Sequence, residues 1–422
     1  MTAVSESTRI VDAAWLAQGA LGKLMAVLDG EGEQARVVGG AVRNVLIGQV
    51  PGDVDVATTA LPPEVSRRAE AAGFKAVPTG IEHGTVTVVV DHHPFEVTTL
   101  REDVETFGRH AVVRFGRDWR ADAARRDFTI NALSLSRDGT VHDYVGGLAD
   151  LAARRVRFIG QASARIAEDY LRILRFFRFH AAYGAGPPDP EGVHACVSAR
   201  ERLDKLSRER VRMELLKLLV APRAVPTLAV MAESGLLGPV LGGVPFLAGI
   251  SNIMKIEAAC GLEPDPVRRL GALAVMVAED AERLWQRLRL SNAEHDRLAS
   301  MADAWWRVTP AGGETAARVL LYRLGPERFA DRVLLAWARS DAGAADADWR
   351  AMATLGERWV APVFPIKAAN LMAHGVPKGP RLGAALAAAE EAWIAQGFPR
   401  DNGALAAIAA AAARNATAVP GC

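Results

Sequence analysis

The chain has 422 residues, 50% of them hydrophobic and 23% charged, with 50 Lys and Arg against 49 Asp and Glu for a formal charge of +1. That length exceeds the usual reach of one hydrophobic core and predicts two or more domains. The charge balance excludes a uniformly basic nucleic-acid coat but leaves room for a local basic groove, since phosphate contacts need only a handful of Arg and Lys. Cys196, Cys260 and Cys422 are odd in number and widely spaced, so neither a zinc site nor a disulfide framework is expected. A reducing, cytoplasmic location suits them. No basic segment followed by an apolar run opens the chain, so no signal peptide is expected, and Leu405 to Ala413 is too short to span a bilayer. No membrane partner is expected.

Ala13 to Leu28 has helical spacing, and Arg36 to Val38 begins a short strand. Gly39-Gly40 then turns the chain into a short helix over Ala41 to Ile47. Strands are expected at Val54–Ala57, Thr85–Val90 and Phe95–Leu100, with Asp91-His92-His93-Pro94 as the turn between the last two. Phe128 to Leu135 and Val141 to Tyr144 flank Arg137-Asp138-Gly139-Thr140, a hairpin signal. Arg101 to Arg117, with Gly108 and Gly116, reads as an insertion between strands. Residues 1–160 thus form a mixed α/β head.

From Ala162 onward apolar residues recur at helical spacing, through Ile166 to Ala182, Leu206 to Leu219, Val225 to Leu236 and on to the end. Gly184-Ala185-Gly186-Pro187-Pro188 and Pro222 punctuate these helices. The expected class is α+β, a mixed sheet with helices followed by an all-helical remainder. Trp305-Trp306 and Trp393 are expected in the helical core.

The chemistry concentrates in the head. Asp53 and Asp55 stand at i, i+2, which on a strand points both side chains to one face. Two adjacent carboxylates repel unless a cation lies between them, and Mg²⁺ is commonly held by one or two carboxylates plus substrate phosphates. Just upstream, Gly39-Gly40 closes a strand and opens a helix, so backbone N–H groups there suit a triphosphate, with Arg43 one turn further in. Neither a Walker loop nor a dinucleotide fingerprint is present. Glu96, inside the Pro94-Phe95-Glu96-Val97-Thr98-Thr99 strand, is the candidate third carboxylate.

Two further runs are polar. In Arg125-Arg126-Asp127-Phe128-Thr129-Ile130-Asn131, Arg126 is a candidate phosphate contact and Asp127 and Asn131 candidate ribose contacts. The same residues would also make a capped, salt-bridged helix start. In Glu168-Asp169-Tyr170-Leu171-Arg172-Ile173-Leu174-Arg175-Phe176-Phe177-Arg178, a continuous helix would set Asp169 and Arg172 side by side at i, i+3, with Arg175 and Arg178 following. Asp accepts from an exocyclic amine and Arg donates to ring acceptors, so the pair can read cytosine or adenine and reject guanine and uracil. An ordinary intrahelical ion pair has the same spacing.

Taken in order, Gly39-Gly40-x-x-Arg43, Asp53-x-Asp55, Glu96-Val97-Thr98-Thr99, Arg125-Arg126-Asp127 and Glu168-Asp169-x-x-Arg172 resemble the class II tRNA nucleotidyltransferase and bacterial poly(A) polymerase family over residues 35 to 240. The resemblance implies a DNA polymerase β-like nucleotidyltransferase head over 1–160, a neck with the base-selecting helix over 161–222, and a helical body and tail over 223–422 that bind tRNA. It implies that Gly39, Gly40 and Arg43 bind the triphosphate and that Asp53 and Asp55 hold magnesium with Glu96 as third carboxylate. Arg126, Asp127 and Asn131 would hold the nucleotide, while Asp169, Arg172, Arg175 and Arg178 template the base.

The implied activity is template-independent addition or repair of the 3′-terminal CCA of tRNA from CTP and ATP. Alternatives are a poly(A) polymerase, an A-adding enzyme, or a noncatalytic RNA-binding relative. In such enzymes a flexible element at the Arg101–Arg117 position permits the last AMP addition, which speaks against a CC-only enzyme. Asn44 departs from the family's Asp after the motif arginine, and no His-Asp pair of a metal phosphohydrolase follows. Arg208-Glu209-Arg210-Val211-Arg212 and Lys378-Gly379-Pro380-Arg381 are candidate RNA contacts.

Overall fold

A computed structural model describes residues 7–9, 14–107 and 110–418. The chain divides into two compact units, one comprising 1–247 with 283–290, the other 248–282 with 291–422.

The first unit is built on an eight-stranded mixed sheet. Its strands are β1 (Ser7–Arg9), β2 (Ala35–Val38), β3 (Asp55–Thr58), β4 (Lys75–Gly80), β5 (Thr85–Val90), β6 (His93–Thr99), β9 (Ser134–Ser136) and β10 (Thr140–His142), in the order β1-β10-β9-β2-β3-β6-β5-β4. A separate hairpin, β7 (Arg101–Phe107) with β8 (His110–Phe115), takes the insertion between strands; its Gly108 lies outside the described residues. The β5–β6 turn places Asp91 and His92 at φ 49° and 66°. Both central residues having positive φ is the two-residue hairpin geometry that matches strand twist.

Helices α1 (Ala14–Ala17) and α2 (Gly19–Leu28) precede β2, and α3 (Gly40–Leu46) follows it. The helical run expected from Ala13 is split because Gly19 takes φ 62°. Helix α4 (Pro62–Ala71) joins β3 to the edge strand β4. Leu24, Met25 and Leu28 of α2 and Val65 and Ala69 of α4 are buried with Val86, Val88 and Val90 of β5, which alternate inward along the strand. Helices α5 (Trp119–Ala124) and α6 (Gly147–Ala152) bracket a 3₁₀ turn over Thr129–Asn131. That turn occupies ground read as strand in the sequence, and only Ser134 onward enters the hairpin.

Helices α7 (Ala162–Glu168), α8 (Leu171–Tyr183), α9 (Pro190–Ser198) and α10 (Arg208–Leu219) complete what the site needs. The helix expected to run unbroken from Ile166 to Ala182 breaks at Asp169, whose φ of −153° is extended. Five phenylalanines lock α8 to the head. Phe128 lies 4.9 Å from Phe158 and 5.3 Å from Phe179, and Phe158 stacks 5.3 Å from Phe176. Phe176 and Phe177 are fully buried. Such aromatic contacts add about 1 kcal/mol each beyond burial, so they fix where the arginines of α8 point.

The second unit is all-helical. Asp331, 1% exposed, accepts from Arg268 and Arg297, and Glu257, 1% exposed, accepts from Arg268 and Arg269, so its buried carboxylates are paired. Trp393 lies in this core as expected, 1% exposed, but Trp306 is 62% exposed, its ring edge-on to Trp305. No helix among the described residues is long and apolar enough to cross a membrane.

Candidate active site

β2 ends at Val38, and Gly39 follows with φ 71° and ψ −125°, a conformation a side chain resists. A Cβ added at Gly39 would also stand 3.3 Å from an Arg126 guanidinium nitrogen. Glycine thus lets the chain turn sharply into α3 while arginine packs directly against it. Asp55 opens β3 beside this turn, pairing in register with Val38 of β2 on one side and Glu96 of β6 on the other. In a parallel pair, residues in register send their side chains to the same face, so Asp55 and Glu96 are neighbours.

Asp53 stands at a bend two residues before the strand, not within it, because β3 starts one residue later than the Val54 expected from pattern. The three carboxylates still act on one another. Partial burial, then the charges of Glu96 and Asp53, raise the Asp55 carboxyl above its ordinary value, while Arg126 opposes them. That mutual repulsion is what a divalent cation relieves. Among the described residues no three carboxylate, histidine or cysteine side chains close into a ready-made metal cage. A magnesium ion needs none when substrate phosphates supply the remaining oxygens.

A cavity of about 480 Å³ opens next to Asp55. It is lined by Gly39, Gly40, Arg43, Asp55, Arg126, Asp127, Asn131, Asp169, Arg172, Arg175 and Arg178, eleven of the thirteen residues expected from sequence. Asp53 and Glu96 are the two outside its lining. Seven arginines and three aspartates face this one space. In a chain of net charge +1, that concentration marks a polyanion site.

Each arginine is held by a partner. Asp122, 3% exposed, accepts from Arg125 at 2.8 and 2.6 Å and from Arg126 at 3.2 Å. Asp127 accepts from Arg175 at 2.8 and 2.5 Å and from Asn131 at 3.1 Å, and Asn131 in turn accepts from Arg43. Asp127 and Asn131 therefore organise the cavity wall, whichever part of a ligand they also meet. Arg172 donates to Glu168 and to the Arg165 carbonyl, not to Asp169. Arg178 donates to Glu214 of α10.

The helix break at Asp169 changes the expected i, i+3 pairing. Asp169 accepts the backbone N–H of Leu171 at 3.0 Å, and its other oxygen takes a 2.6 Å bond from Arg210. Arg210, a candidate RNA contact in the sequence, also lines this cavity. Sequence reasoning also missed Arg125, Leu171 and Phe179 in the lining. Phe179 carried a usable signal, lying one helical turn after Arg175; Arg210 carried none, because its partner is 41 residues away.

Asp127 gives the site an acid-sensitive element. Burial alone would raise its carboxyl, but Arg175, Asn131 and the Phe128 N–H hold it below the ordinary range. A carboxyl depressed in the folded state contributes stability above its unfolded value of about 4, and loses it as pH falls through the folded value. The stability of the first unit should therefore fall steeply below about pH 4. Asp127→Asn should flatten that acid limb in urea unfolding measured from pH 7 to 3, and an unchanged limb would contradict the assignment.

The family model described as the Poly A polymerase head domain matches residues 35–157, and the one described as "Probable RNA and SrmB- binding site of polymerase A" matches residues 188–249. The CCA tRNA nucleotidyltransferase 1, mitochondrial, of Danio rerio is 35% identical over 384 residues, covering 85% of this chain and 83% of that protein. The CCA-adding enzyme of Lactobacillus gasseri is 31% identical over 369 residues, covering 83% and 87%. Among solved structures, the Bacillus stearothermophilus CCA-adding enzyme in complex with CTP matches with a TM-score of 0.69 at 29% identity, covering 90% of this chain and 93% of that one. The Thermotoga maritima CCA-adding enzyme complexed with tRNA_CCA, at 17% identity and a TM-score of 0.69, shares the fold.

Proposed function

The chain belongs to the family of CCA tRNA nucleotidyltransferases, and on that premise we propose that it builds or repairs the 3′-terminal CCA of tRNA from CTP and ATP with magnesium. The observation that carries this reading is the single arginine-rich cavity linking the Gly39-Gly40 turn, Asp55 and the Asp169/Arg172 pair. It has places for a triphosphate, a reacting centre and a base edge.

Residues 1–160 serve as catalytic head, 161–222 as neck and 223–422 as the body and tail that bind tRNA. Gly39 and Gly40 present backbone N–H groups to the triphosphate, and Arg43 and Arg126 offset its charge. Asp53 and Asp55, with Glu96 beside them, would hold magnesium. When bound, magnesium lowers the pKa of the primer hydroxyl and offsets the charge of departing pyrophosphate. Asp169 accepts from the exocyclic amine shared by cytosine and adenine, and Arg172 donates to the adjoining ring acceptor. Arg175 and Arg178 line the same pocket. The tRNA 3′ hydroxyl then attacks the α-phosphate in line, and the protein's share is positioning and charge. Exposed Arg208 in the first unit and, separately, exposed Lys378 and Arg381 in the second are the phosphate contacts we assign to tRNA.

Cys196 is buried and, like Cys260, unpaired, in keeping with a reducing compartment, for which we propose the cytoplasm. The function is tested by incubating the protein with tRNA lacking its 3′ CCA and each nucleoside triphosphate in turn. CTP should be incorporated in magnesium and not after chelation by EDTA, with UTP and GTP rejected. Equal use of all four nucleotides would overturn the base-reading assignment.

A further inference from the structure

Arg43 is 5% exposed, yet among the described residues no carboxylate pairs with it. Its guanidinium is held instead by neutral groups. One terminal nitrogen donates to Asn131 Oδ1, and the other to Asn44 Oδ1 at 3.1 Å and to the Tyr183 hydroxyl at 2.7 Å. The Arg43 Cζ also lies 3.9 Å from the centre of the Tyr183 ring, and that ring stacks 5.9 Å from Phe179. Tyr183 therefore offers Arg43 both an aromatic face and an acceptor. The hydroxyl proton is free to go to Asn44 Oδ1, 3.4 Å away.

Tyr183 is the last residue of α8, the helix whose second residue is the base-reading Arg172. Asn44 reaches the other way, its amide nitrogen 3.4 Å from the Val50 carbonyl and 3.5 Å from that of Pro51, just ahead of Asp53. An aspartate at position 44 would accept from Arg43 but donate nothing to those carbonyls. Gly40 is packed against the same guanidinium: a Cβ there would sit 3.6 Å from its nitrogen. Arg43 thus has its place behind the glycine turn set by groups on α3, the Thr129–Asn131 turn and α8.

We propose that Tyr183 is a positioning residue for nucleotide binding, holding the Arg43 guanidinium at the phosphates beyond the first and tying the glycine turn to the base-reading helix. The proposal rests on the nucleotidyltransferase function above. Leaving a buried guanidinium N–H without its acceptor is expensive, so the loss of the hydroxyl is felt at Arg43.

The test is equilibrium binding of CTP, ATP and CMP, each with magnesium, to the full chain and to Tyr183→Phe. The variant keeps the ring and loses only the acceptor, and its melting temperature is measured alongside. CTP and ATP dissociation constants should both rise about fivefold, with CMP binding unchanged. Tyr183→Phe combined with Arg43→Lys should bind CTP no more weakly than Arg43→Lys alone, because both changes act on one interaction. CTP binding equal to that of the unaltered chain would overturn the proposal, as would equal weakening of CTP and CMP. Failure of the unaltered chain to bind any of the three would overturn the nucleotide function itself, and is seen before any variant is compared.

Discussion

Asp55→Asn should reduce CMP and AMP incorporation by roughly 10³-fold or more while leaving the protein as stable as before, or slightly more stable. The two halves have one cause. Asp55 sits in register with Glu96 and near Asp53, and burial together with their charge pushes its carboxyl upward. A charge that the folded state disfavours detracts from stability, so the neutral isostere relieves repulsion. On the proposed mechanism the same charge would hold a divalent cation here, and metal stabilisation of phosphoryl transfer amounts to several kcal/mol. Each 1.36 kcal/mol is a factor of about ten in rate. Single-turnover incorporation and thermal melting in EDTA, run on one preparation, check both halves. Full activity in the variant would remove Asp55 from the catalytic group, and a large loss of stability would assign it a structural role instead.

The second large effect concerns base choice at Asp169. Asp169→Ala should lower kcat/KM for CTP and ATP about 100-fold, and bring UTP within tenfold of CTP. A well-formed polar pair discriminates bases by about 1–3 kcal/mol. The loss falls at the upper end of that range because Arg210, bonded to Asp169 at 2.6 Å, is left in the cavity without its carboxylate. Asp169→Asn sharpens the test. Its amide donates where the carboxylate accepted, so it should favour the uracil carbonyl and raise UTP use relative to CTP. Steady-state kinetics with each nucleotide decides it. Uniform loss across all four nucleotides, with the CTP-to-UTP ratio unchanged, would mean that Asp169 only holds Arg210 in place.

The parts of this site that local pattern foretells are those whose geometry is local. Gly39-Gly40 announces a turn because only glycine takes that φ freely, and Asp55 announces itself within a run of small and β-branched residues that reads as strand. The helical remainder follows from the apolar period, as in the buried Leu171, Leu174 and Phe177. What pattern hides is set by tertiary partners. Periodicity runs unbroken through Asp169, yet the chain leaves the helix there, with the carboxylate accepting from Leu171 and from Arg210. Tyr183, one residue past the helix expected from the apolar period, shows its place only when its hydroxyl is found on Arg43. The edge strand Lys75–Gly80 carries Pro78 and two glycine or polar ends, which mask strand character and are tolerated only at a sheet edge. Trp306 has the composition of a core residue and a solvent-exposed position, in a short turn that buries none of its residues.

The central claim is most directly tested by product analysis. Purified protein, magnesium, CTP and ATP are incubated with tRNA ending before CCA, at CC, or complete, and 3′ ends are read at single-nucleotide resolution. The account predicts addition of C, C and A to the first, A alone to the second, and nothing to the third. Long adenosine tails on all three, or no incorporation where a control enzyme succeeds, would contradict it.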